Sequence, residues 1–101
     1  MLDALIKHHF GGGTYAKEVH IAKGKIGTQH VHKHDHLSIL ASGTAAVTVA
    51  GESIIYQAPA CLAIAAGKVH VVTALTDIVW YCIHATDETD ETHIDEVLIG
   101  K

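Results

Sequence analysis

Residues 30–43, His30-Val31-His32-Lys33-His34-Asp35-His36-Leu37-Ser38-Ile39-Leu40-Ala41-Ser42-Gly43, decide how this chain is read. Four histidines stand at alternate positions. In an extended strand, alternate side chains share a face, so His30 and His32 lie side by side. Two imidazoles that close have an obvious joint use, which is to hold a transition metal through neutral ring nitrogens. Charged and polar residues at Lys33-His34-Asp35 predict a turn, after which the chain re-enters a sheet at His36. His30, His32 and His36 therefore form a candidate cluster of three.

Working outward, the rest of the chain reads as strand and turn. The expected strands are Tyr15–Ala22, Ile26–His32, His36–Ser42, Ala45–Val49, Ile54–Gln57, Cys61–Ala65, Lys68–Leu75 and Ile78–Ala85. Lys23-Gly24-Lys25 and Ala50-Gly51-Glu52-Ser53 read as short turns. Eight short strands at regular spacing predict an antiparallel sandwich or barrel. Before them, Leu2, Leu5, Ile6 and Phe10 recur at helical spacing, with Asp3 in the first turn. That predicts a short helical arm over residues 1–14, ending in a flexible Gly11-Gly12-Gly13 hinge. Residues 15–101 form the single main domain. Thr86–Glu96 holds six of the eleven acidic residues and reads as a solvated loop; Val97-Leu98-Ile99 is a further short strand candidate.

Composition narrows the function classes. The chain has 101 residues, 49% hydrophobic and 18% charged, as suits one globular domain. Its net charge of −4 argues against a nucleic-acid partner. All seven cations are lysines, so no bidentate guanidinium fork is available for anionic substrates. No run approaches the roughly 18 apolar residues of a membrane span. MLDALIKHHF lacks the apolar core and cleavage site of a signal peptide. Cys61 and Cys82 sit in apolar strand segments and read as buried free thiols of a cytoplasmic protein, although spacing alone leaves a disulfide between them open.

A fourth ligand candidate lies downstream. Gly67 precedes by three residues a histidine, His70, that opens the β-branched run His70-Val71-Val72. His70, Val72 and Ala74 share a face, and if that face looks inward His70 joins the first cluster. His84 shares a face with Trp80 and Cys82, which suits a supporting role or a cavity wall. Tyr56 and Trp80 read as ordinary core packing, with the mouth of the barrel as the alternative for either, and Glu52 reads as a solvated charge in a turn. His8, His9, His20 and His93 read as surface residues.

Over residues 15–85 the chain resembles the cupins. Their first motif, glycine, five residues, His-x-His, three or four residues, glutamate, six residues, glycine, is traced by His30-Val31-His32, His36 and Gly43. The second is traced by Gly67 and His70. Two departures stand out. His36 occupies the place of the glutamate, and Ala65 and Ala74 those of the second motif's proline and asparagine. The resemblance implies a double-stranded β-helix, or jelly-roll barrel. It also implies one divalent transition metal on His30, His32, His36 and His70, with His34 or Asp35 as substitutes if His36 turns away. Imidazole ligands suit zinc, nickel, iron or copper, and disfavour magnesium and calcium. The implied function is a metal-dependent enzyme, oxygenase-like or isomerase-like, on a small organic molecule. The alternative is a non-catalytic metal- or ligand-binding module, or a structural protein braced by its metal. Fold does not choose between these. A homodimer exchanging the N-terminal arm and the Val97–Ile99 strand is the expected assembly.

Overall fold

The computed structural model describes residues 4–29 and 35–85, and no helix occurs among them. Nine strands follow one another: β1 (Ala4–Gly11), β2 (Thr14–Ile21), β3 (Ile26–Gln29), β4 (His36–Ser42), β5 (Thr44–Val49), β6 (Glu52–Gln57), β7 (Ala60–Ile64), β8 (His70–Ala74) and β9 (Ile78–Ala85). They form a five-stranded sheet in the order β1-β2-β9-β4-β7 and a four-stranded sheet in the order β3-β8-β5-β6. Every pairing is antiparallel. From β2 onward the chain crosses repeatedly from one sheet to the other, and this builds the jelly roll.

Period-two burial follows from this arrangement. Along β9, Ile78, Trp80, Cys82 and His84 are buried, with partly buried residues between them. On β4 the buried positions are His36, Ser38 and Leu40. On β8 they are His70, Val72 and Ala74. Trp80, Leu40, Val72 and Ile78 stand at the centre of the core between the sheets. β4 and β9 have the bounds that the sequence predicts. Val97–Ile99 and the acidic segment 86–96 lie outside the described residues.

The N-terminal arm is a correction. Residues 4–11 form a strand, not a helix, and pair with β2 of the same chain from Ala4↔Ile21 to Gly11↔Thr14. Gly12 and Gly13 have φ of 60° and 72°, the conformation of a two-residue hairpin turn of type I′. The triple glycine is thus a tight turn and not a flexible joint. Ile6, His8 and Phe10 are half-buried while Leu5, Lys7 and His9 are exposed, which is strand alternation. Pairing with β2 overrides the helical spacing of the apolar residues.

On the outer face of this hairpin, Glu18 accepts hydrogen bonds from two imidazoles. His9 Nε2–H lies 2.8 Å from one carboxylate oxygen, and His20 Nε2–H donates to the other. Glu18 also stands opposite Tyr81 on β9. The bonds from His20 and then His9 pull the Glu18 carboxyl down from its ordinary 4.5 to about 2. A depressed folded-state pKa gives stability that is present above about 4.5 and lost as the pH falls toward about 2. Glu18→Gln is expected to shrink the fall in melting temperature across that window. Superimposable profiles for wild type and variant would show that Glu18 contributes nothing there.

Candidate metal and ligand site

Two of the candidate histidines, His36 and His70, stand toward one end of the barrel. His36 opens β4 beside Ile64, the last residue of β7. The connector leaving Ile64 crosses to the other sheet and delivers His70, the first residue of β8. Asp35 ties these approaches together, its carboxylate accepting a 2.7 Å bond from the Ala66 amide. His36 and His70 therefore stand at the same end, buried on the inner faces of facing sheets. His30, His32 and His34 lie outside the described residues. Among the described residues, no three of His, Cys, Asp and Glu converge as a metal-holding group.

The geometry at His70 defines its tautomer. Nδ1 lies 3.1 Å from the Lys68 carbonyl oxygen. A carbonyl can only accept, so Nδ1 carries the proton, and in the neutral ring Nε2 carries the lone pair. An imidazole held by a backbone carbonyl in this way is the usual arrangement of a metal-ligating histidine.

His36 has a different neighbourhood. Its ring centroid is 4.3 Å from that of His84, which is also buried. His84 stands opposite Tyr15 on β2, with centroids 6.3 Å apart, and Tyr15 stands opposite Phe10 on β1, at 5.0 Å. Tyr15 is fully buried, and its hydroxyl shares a 2.7 Å hydrogen bond with His8 Nδ1. A row of rings thus runs across the inner face from β1 to β4. His84 stands beside His36, in keeping with the expected supporting role, whereas His8, expected at the surface, is half-buried. Reading the glycines as a hairpin turn would have set Phe10 opposite Tyr15 and turned His8 inward.

Beside His70 a cleft of about 510 Å³ opens between β5–β6 and β7. Val47, Val49, Ile54, Tyr56, Leu62 and Ile64 give it apolar walls, and Glu52, Lys68 and His70 are its principal polar groups. This volume falls within the usual range for small-molecule sites. Tyr56 lines it while packing against the core, and Trp80 is in the core, as expected. Glu52 is exposed, as expected, and also lines the cleft. Cys61 and Cys82 are free thiols, but only Cys82 is buried. Cys61 is exposed because it occupies an outward position of the edge strand β7.

No curated protein matches the chain. Solved structures do. A cupin 2 domain-containing protein from Halorhodospira halophila superposes with a TM-score of 0.73 at 18% identity, covering 92% of this chain and 74% of that one. The cupin domain of an XRE family transcriptional regulator from Enterobacter cloacae gives 0.69 at 13% identity, covering 80% and 94%. A salicylate 1,2-dioxygenase variant from Pseudoaminobacter salicylatoxidans gives 0.72 at 11% identity, covering 82% of this chain but only 26% of that larger one. At these identities the likeness shows the fold alone. The family profile described as Cupin domain matches residues 17–84, well over half of the chain, and the chain belongs to the cupin family.

Proposed function

We propose that this cupin binds one divalent transition metal, zinc, nickel, iron or copper, through His30, His32, His36 and His70, and holds a small organic molecule in the adjoining cleft. Oxygenase-like or isomerase-like turnover of that molecule is the enzymatic form of the reading. The observation that carries it is His70, a buried imidazole whose backbone hydrogen bond leaves Nε2 as the lone-pair nitrogen. His36 supports it as a second buried imidazole at the same barrel end, and the placement of His30 and His32 is part of the proposal. Four neutral imidazoles would leave a bound divalent ion its full charge, so its contribution there is Lewis acidity toward an oxygen of the organic molecule. The protein's part is to fix the imidazoles and to give the molecule an apolar wall beside them.

Elemental analysis of the full chain after metal loading and exhaustive dialysis tests the reading. One tightly held transition-metal ion per chain is the expected result. A chain that loses every such ion, or an ion retained equally by a His36→Ala, His70→Ala double variant, would overturn it.

A further inference from the structure

The cleft beside His70 carries two opposite charges on an apolar surface, and their placement follows from strand register. Ala50 and Gly51, with φ of 51° and 82°, form the two-residue turn that sets Glu52 opposite Val49. On its other side Val49 pairs with His70. Register partners in an antiparallel sheet point to the same face, so His70, Val49 and Glu52 form one inward row. The opposite face is occupied by the next pair, Thr48 and Ser53, whose hydroxyls share a 2.6 Å hydrogen bond. Glu52 is therefore an inward carboxylate at the rim of the cleft. It lies two strand spacings from His70, about 10 Å.

The other charge sits at the His70 end. Lys68 follows the Gly67 turn, gives its carbonyl to His70 Nδ1–H, and lines the cleft. Among the described residues neither Glu52 nor Lys68 forms a salt bridge. Between them lies an apolar floor of Val47, Leu62 and Ile64. Ile54 faces the same way yet is 56% exposed, because nothing among the described residues covers it on the cleft side. A purely anionic ligand would meet Glu52, and a purely cationic one would meet Lys68. A molecule with both charges held apart satisfies each end.

We propose that the cleft takes a small zwitterion whose anionic group lies at the Lys68–His70 end and whose ammonium lies at Glu52, with an unbranched or lightly branched apolar body between them. This deepens the proposed function by naming the class of its organic ligand, and it rests on that reading only in setting the anionic group beside the metal-binding imidazole. Selectivity comes from charge separation matched to the row of strands. The apolar body covers Ile54.

Calorimetry on the full-length protein tests this, in metal-free and zinc-loaded forms, with ω-aminooctanoate, octanoate, octylamine and β-alanine as probes. The expected result in both forms is binding of ω-aminooctanoate roughly tenfold or more tighter than octanoate or octylamine, a charge-assisted contact being lost with each. Binding of β-alanine should be weaker still, because it is too short to span the row. Glu52→Gln should erase the preference over octanoate alone, and Lys68→Met the preference over octylamine alone. Both side chains are exposed, so unchanged melting temperatures are expected for the variants. Equal affinities for the eight-carbon probes, or a preference that survives both substitutions, would overturn the inference. A charge-pattern preference in metal-free protein that retains no zinc would support the inference and count against the metal reading alone.

Discussion

Replacing His70 by alanine is expected to abolish the proposed metal binding. The substitution removes a candidate ligand whose free nitrogen is defined by a hydrogen bond, Nδ1–H to the Lys68 carbonyl. Loss of a mere outer-shell partner of a metal-binding histidine costs about 10–100-fold in affinity, so loss of the ligand itself should exceed about a hundredfold. Competition against a chromophoric chelator measures it directly. His70 opens its strand at the barrel end, at a distance from the Trp80–Leu40 centre of the core, so far-ultraviolet circular dichroism should remain that of a folded sheet. Affinity within a factor of two of wild type would remove His70 from the site. His84→Phe is the informative companion. It keeps a ring beside His36 while removing both ring nitrogens, and if His84 acts only by packing, metal affinity should survive it.

The second large effect is on stability. Gly43 joins β4 to β5 with φ of 87°, and a Cβ placed there would lie 2.2 Å from the Asp77 carbonyl oxygen, 2.7 Å from Thr76 Oγ1 and 2.9 Å from Ile78 Cγ2. The nearest of these is backbone, and it cannot swing aside. The Gly43 carbonyl meanwhile accepts a 2.9 Å bond from the Ala58 amide, and the Thr44 amide donates to Thr76 Oγ1 at 3.0 Å, so the segment cannot shift alone. Gly43→Ala is expected to cost about 3 kcal/mol or more, of which the left-handed conformation accounts for about 1–2 kcal/mol. For a domain of this size that lowers the melting temperature by roughly 12–24 °C. Gly24→Ala is the control, since φ there is 83° but nothing lies within 4 Å of the added carbon. It should show only the conformational cost, about 4–8 °C for each kcal/mol. Equal losses in the two variants would mean that crowding against Asp77 contributes nothing.

The sequence was most legible where a local pattern and the tertiary fold agree. Ile78–Ala85 and His36–Ser42 alternate apolar and other residues between clear breakers, and the structure forms strands with those bounds. The inward turn of His70, Val72 and Ala74 was equally readable, because a face shared by β-branched and small apolar residues is one that water leaves. Leu5, Ile6 and Phe10 were misread because spacing by three or four also occurs by chance in a short strand. What turned them into β1 was the Gly12-Gly13 turn and the open edge of β2, a partner remote from the pattern itself.

From its own residues, then, the chain determined that it would be a small all-β barrel with inward imidazoles, since side-chain alternation and turn chemistry act within a few residues. Only the tertiary structure decided which groups stand beside those imidazoles. Strand register across the sheets is a property of pairs distant in sequence. It sets His84 against His36, links Tyr15 to His8 across the β1–β2 turn, and aims Glu52 into the cleft beside His70.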